Sequence, residues 1–370
     1  MLAAGYAFSG DAARAREAIG RAVDMAEAVG SPRILVRAFT VKSIVSMGRG
    51  RPEEAVALLK HAASVAREHQ LLEPAVNAYF NLSETGFQRD RYADSLEYLG
   101  EALELARRLG SRPSEWASLA ETTYALYMGG RWDEALATAR GIPEDRLRSA
   151  LTLSLLSSVL QIHIHRGELA AARRLLALYA DLEHAPDVQD RSAYLVAAAS
   201  LYGVEGRPRE ALAASVKGVE LARSFSGIGH QAMKHGLVEA IEAALALADG
   251  KRADELLASV ETGPPGLRPP FLEAQANRFR ARLGGTDEAA VAGFEAAAAR
   301  FRELDIPFWL AVTQLEHAEW LTDAGKPGEA EPLFAEARAV FERLEASPWL
   351  DRASRTAAPA REPETVPGRS

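Results

Sequence analysis

One turn recurs along this chain at nearly constant spacing. The segments SGDAARA, RGRPEEA, RDRYADS, GGRWDEA, RGELAAA, EGRPREA, DGKRADE, GGTDEAA and AGKPGEA mark turns at Gly10, Gly50, Asp90, Gly130, Gly167, Gly206, Gly250, Gly285 and Gly325. The steps between them are 40, 40, 40, 37, 39, 44, 35 and 40 residues. A period of this kind means stacked supersecondary units, none able to bury its apolar face alone. The chain is therefore expected to be all-α, one right-handed superhelical solenoid of about eight to nine antiparallel hairpins.

Each position around the turn has a physical role. The glycine supplies the left-handed residue that ends a helix. Pro52, Pro208 and Pro327 follow two residues later, in the first turn of the next helix, where a missing N–H costs nothing. Glu54, Asp94, Glu134, Glu210 and Glu329 come next, favourable against the positive end of the helix dipole. Small residues stand five past the turn (Ala55, Ser95, Ala135, Ala172, Ala211, Ala330), large ones nine past it (Ile19, Leu59, Leu99, Leu176, Phe294, Phe334) and alanine twelve past it (Ala62, Ala102, Ala297, Ala337). Those offsets share one helical face, with small residues where a partner helix must approach.

This spacing resembles the second helix of a tetratricopeptide repeat. The first helix matches less well: the small residue seven before the turn is there (Ser43, Ser83, Thr123, Ala199, Ala318), but four before it stand Tyr6 and Tyr202 and elsewhere Ser46, Leu126 and His163. Pro32, Pro113, Pro307 and Pro348 come late after their turns, which lengthens the hairpin and accounts for the long period. HEAT-like repeats also run at about 40 residues or more, but lack this Gly-x-x-x-[DE]-Ala turn.

Composition narrows the class. The chain has no cysteine, which excludes a disulfide scaffold and thiolate zinc sites and fits a reducing cytoplasm. A net charge of −8 without basic runs argues against a nucleic-acid surface. The longest apolar stretch, AYLVAAASLYGV at 193–204, is too short to span a bilayer, and the N-terminus lacks a basic region of the secretory kind.

The repeat covers residues 1–350, with local breaks expected near 141–146, 224–236 and 262–270, where GIPEDR and TGPPGLRPP interrupt it. Gly250 is out of register by one. The first hairpin is half missing, so the chain reads like a piece of something longer. At the other end Trp349 and Leu350 are expected to fold back as a cap, followed by a disordered tail at 351–370 that is rich in proline. The segment 306–353 is similar to the C-terminal end of the sensor arrays in large bacterial cyclase-linked ATPases and LuxR- or SARP-type regulators. That resemblance implies a regulatory array that takes a ligand or partner and acts on an upstream ATPase, cyclase or output domain.

No motif for chemistry stands out. There is no phosphate-binding loop, H-E-x-x-H, G-x-S-x-G or dinucleotide fingerprint, and no acid–base pair can be picked from the scattered carboxylates. No catalytic, cofactor or metal residue is expected. His163 and His165 look like a metal pair, but residues two apart on a helix point about 200° apart. His163 falls at a packing position and His165 on the concave face.

What remains is a surface. The resemblance implies a concave face built from first-helix residues 13, 10, 6, 3 and 2 before each turn. The offsets give Asn77, Phe80, Glu84, Phe87 and Gln88 before Asp90. Before Gly130 they give Ala117, Ala120, Tyr124, Tyr127 and Met128, and before Gly167 Ser154, Ser157, Gln161, Ile164 and His165. Asn77, Phe80, Glu84, Phe87, Tyr124, Tyr127, Met128, Gln161 and His165 would suit a protein or peptide partner or a small effector. Alternatively these aromatics fill the space between adjacent repeats. The functional expectation is a non-enzymatic, cytoplasmic interaction or sensor module of a larger regulator, touching neither nucleic acid nor membrane. A stand-alone peptide receptor or scaffold is the alternative.

Overall fold

A computed structural model describes residues 12–147, 150–225, 227–284 and 287–357. Among them the regular structure is helical throughout. A lone helix, α1 (Ala12–Ala28), leads into hairpins of α2 (Pro32–Gly48) with α3 (Pro52–Glu68), α4 (Leu72–Gln88) with α5 (Tyr92–Leu109), and α6 (Arg112–Met128) with α7 (Trp132–Ala139). The next first helix is split into α8 (Ser154–Ser157) and α9 (Val159–Arg166), paired with α10 (Leu169–Leu178). Then follow α11 (Val188–Val204) with α12 (Pro208–Phe225), and α13 (Gln231–Ala246) with α14 (Gly250–Glu261). The last hairpins are α15 (Pro270–Leu283) with α16 (Asp287–Glu303), and α17 (Pro307–Asp323) with α18 (Pro327–Leu344), before a final α19 (Ser347–Ala357). The chain is a helical solenoid.

The repeat face packs as its residue types require. Ala55, Ser95, Ala135 and Ala172, then Leu59 and Leu99, then Ala62 and Ala102, are all buried. At the tightest contact the Ser95 hydroxyl donates to the Ser83 carbonyl at 2.9 Å, joining the small residue of one helix to that of its partner. Gly50, Gly130, Gly167, Gly206 and Gly325 have positive φ, and Asp90 adopts the same conformation at φ 58.

Several expectations need correction. The left-handed residue after α13 is Ala248, not Gly250, which is already helical. Asp249 caps α14 by accepting from the Arg252 N–H at 3.0 Å, and the turn is out of register with the glycine by two residues rather than one. The break expected at 224–236 is shorter, because α13 resumes at Gln231. The tail does not begin at 351: α19 continues to Ala357, and 358–370 and the turns at Gly10 and Gly285 lie outside the described residues. Within α17, His317 is buried and stacks on Phe294 at 5.1 Å.

The architecture departs most from an open array in its pitch. Arg166 donates to the Leu344 carbonyl across 178 residues, and the Phe271 N–H donates to Asp90 Oδ2 across 181. A methyl group on Gly130 would come 2.5 Å from Pro307 Cγ, and one on Gly167 would come 3.1 Å from Pro348 Cγ. The turns of one superhelical turn thus sit directly on the helix starts of the next. One core cluster runs from Phe87 to Ala353 and bonds the two turns together.

Candidate functional site

Stacking divides the predicted groove into two fates. Near the repeat turns it is filled. Phe87, Tyr124, Tyr127 and Met128 are buried, so this half of the expected binding surface is core. The reason is that helices of the second superhelical turn cover it. Tyr127 stacks on His165 (6.2 Å, 9° between planes), His165 meets Phe308 at 4.2 Å, and Phe308 meets Trp132 at 5.2 Å and Trp349 at 5.5 Å. Trp349 and Leu350 pack against this core, as a cap would. Asn77 is exposed and lines neither cavity described below; its carbonyl accepts from Asn81.

Away from the turns the concave face stays open as two cavities. The first, about 440 Å³, is walled by α2, α4, α6, α8, α9, α11 and α13 and includes Phe80, Glu84 and Gln161 from the expected set. The second, about 460 Å³, lies under α19 and is lined by Gln161, His165, Glu239, Trp309 and Trp349 among others. Gln161 belongs to both. Its amide donates to Ser200 Oγ at 2.9 Å, and that hydroxyl donates to Glu239 Oε1 at 2.9 Å, forming a polar bridge between them.

The histidine pair of α9 resolves into two separate roles. His163 is half-buried and its Nδ1 meets Glu168 Oε2 at 2.5 Å across the turn, while Ile162 takes the core. His165 Nε2 faces the Tyr127 hydroxyl at 3.2 Å. Burial, with His235 nearby, holds its pKa down at about 3, so the ring is neutral. Among the described residues no three His, Asp or Glu side chains are grouped to hold a metal ion.

The first cavity contains a pairing that sequence reasoning missed. Glu84 of α4 faces Glu121 of α6. Burial, then the charge of Glu121, pushes Glu84 well above the usual carboxylate range. Burial also raises Glu121, but Ser154 and Gln231 donate to its two oxygens, the latter at 3.0 Å, and stabilise its charge. The shared proton therefore sits on Glu84 and is directed at Glu121. Glu121 stands nine before its turn, an offset absent from the transferred set. Asn81 and Ala197, at the same offset in their own repeats, line this cavity too.

In the second cavity burial, with Glu242 nearby, pushes Glu239 up to about 7 against the bond from Ser200. The folded protein then takes up a proton between 4.5 and about 7, so this group's contribution falls as pH rises through that window. Glu239→Gln is expected to remove that slope and to stabilise the protein at pH 8 by roughly 1–3 kcal/mol. Urea unfolding at pH 5 and pH 8 checks it; an unchanged slope in the variant would refute the assignment.

No protein-family model matches the chain, and no curated protein matches it. Solved structures that resemble it include the following three. The apo form of the quorum sensor NprR from B. thuringiensis is 13% identical, with 90% of this chain and 83% of that chain covered at a TM-score of 0.37. A monomeric IFIT1 mutant with Gppp-AAAA is 16% identical, with 86% and 77% covered at 0.44. A circular tandem repeat protein with novel repeat topology is 14% identical, with 96% and 94% covered at 0.22. Among the described residues no helix is long and apolar enough to cross a membrane.

Proposed function

We propose that the chain is the non-catalytic, tetratricopeptide-like sensor segment of a larger, cytoplasmic bacterial signalling or transcriptional regulator, and that it takes its ligand into the inner cavities. The observation that carries this reading is the convergence of seven helices on one chamber of about 440 Å³ with polar groups on its wall. That volume fits a small effector or the end of a peptide better than a folded partner. α13 supplies His235 and Gln231 to the chamber and, between them, Lys234 to the contact with Asp90 on the adjoining superhelical turn. A ligand that prefers one pitch would shift the array toward it, and an upstream ATPase, cyclase or output domain would read the change.

Ala193 lies on the chamber wall, so Ala193→Trp should fill it. Small metabolites and short peptides that raise the melting temperature of the wild type are expected to lose that effect in the variant, with helicity unchanged. Ligands that act equally on both would sink the proposal. The reading frame before Met1 is expected to continue into the output module. A stop codon there would favour a stand-alone peptide receptor instead.

A further inference from the structure

We propose that the first cavity is a site for a small organic cation, an amine or guanidinium held between Glu84 and Glu121. The inference rests on the chamber being a ligand site and adds which chemistry it selects. Among the described residues its lining contains two carboxyl groups and neither lysine nor arginine. An anion would find no cationic partner there, whereas a cation would find the Glu121 carboxylate and, in Glu84, a carboxyl group that can become a second one, in a place where water competes poorly.

The unspent hydrogen-bonding groups point the same way. Gln231 has used both ends of its amide, accepting from Ser157 Oγ at 2.7 Å and donating to Glu121. The orientation of Gln161 follows from Ser200, whose hydroxyl proton goes to Glu239, so its oxygen must accept from the Gln161 amide. Gln161 is 3% exposed, and its carbonyl oxygen, which can only accept, has no partner among the described residues. His235, 4% exposed, uses Nε2 toward the Tyr124 hydroxyl at 3.2 Å and leaves Nδ1 unpaired among the described residues. That ring nitrogen meets a ligand as donor or acceptor according to the tautomer. A buried amide oxygen that can only accept, together with a carboxyl pair lining the same cavity, calls for a ligand rich in donors.

Binding carries a proton signature. The neutral Glu84 carboxyl loses its proton to solvent, and the carboxylate that remains pairs with the ligand's ammonium or guanidinium, which keeps its own protons. One proton is released for each cation bound. The other groups facing the pair are His230, which caps α13, and Lys234 and His235 within it. Among the described residues α2, α8, α9 and α11 present no titratable side chain to the cavity. His230 and His235 are held neutral at about 4 and about 3 by burial and by Lys234, and do not compete for that proton above pH 6. Affinity therefore rises with pH until the ligand itself loses its charge.

The test is isothermal titration calorimetry of the full chain with putrescine, agmatine and spermidine, against 1,4-butanediol and succinate, in two buffers of different ionisation enthalpy. The expected result is 1:1 binding of at least one of the three cations, close to one proton released, and no heat from the diol or diacid. Glu84→Gln/Glu121→Gln should weaken that binding by about 100-fold. Should the double variant fold poorly, proton release by the wild type still decides. No binding by any of the three cations, binding without proton release, or undiminished binding by the folded variant overturns the proposal. So does equal affinity for the diol or diacid; if Ala193→Trp abolishes that binding, the cavity remains a ligand site and only its charge preference is refuted.

Discussion

Asp90→Ala is expected to destabilise the protein by about 3–5 kcal/mol, because it leaves a buried ammonium without its partner. Lys234 and Asp90 are both fully buried and 2.6 Å apart. All three Lys234 protons are used, on Asp90 Oδ1, on the Phe87 carbonyl at 2.8 Å and on the Tyr92 hydroxyl at 3.3 Å. Asp90 Oδ1 also accepts from Tyr92, and Oδ2 accepts from the Phe271 N–H at 2.8 Å, one of the orphan donors at the start of α15. One carboxylate thus joins α4, α5, α13 and α15. Asp90→Gly separates two effects: it removes the charge but relaxes the left-handed backbone, so it should cost about 1 kcal/mol less than alanine. Pairing Asp90→Asn with Lys234→Met removes both charges and should recover most of the loss. Urea unfolding followed by far-UV circular dichroism measures all four chains. A loss below about 1 kcal/mol for Asp90→Ala would show that the knot does not bind the superhelical turns together.

Arg278→Leu is the second large effect, expected at about 3 kcal/mol. Arg278 is buried and grips Glu316 with two bonds of 2.6 and 2.8 Å, Glu242 at 2.5 Å and Gln275 at 2.8 Å. Arg282 still reaches Glu242 at 2.8 Å and Glu316 at 3.2 Å, which keeps the loss at the lower end of the range. The pH dependence identifies the cause. Burial alone would raise Glu242, but Arg278 and Arg282 outweigh it and hold the pKa at about 2. A carboxyl group whose pKa is lower folded than unfolded stabilises the fold above its ordinary 4.5 and loses that contribution as pH falls through about 2. The difference between wild type and variant should be full at pH 7 and much reduced at pH 2.5. Equal differences at both pH values would mean that Arg278 acts through packing rather than charge.

The legible part of the site was its helices and one of its two acids. Glu84 and Phe80 were found because six and ten before the turn point inward in any such hairpin. Glu121 was missed because nine before the turn lay outside the transferred offsets, and no carboxylate can be recognised as paired until its partner helix is placed. Phe87 and Tyr127 were ambiguous for a different reason. An aromatic three before the turn has the same residue type whether a ligand or another helix covers it, and here α13 of the next superhelical turn does so, with His235 against the Tyr127 ring at 6.3 Å and Lys234 on the Phe87 carbonyl.

The sequence by itself determined the hairpin and its repeat. Each of those features rests on contacts within about 40 residues: a left-handed turn, a small residue where two helices meet, and an apolar stripe with a helical period. Only the tertiary structure decided the pitch, and with it which concave residues became core and which stayed open. Pitch is set by partners 178 and 181 residues apart, such as Arg166 with Leu344 and Asp90 with Phe271, and contacts at that separation leave no period in the sequence.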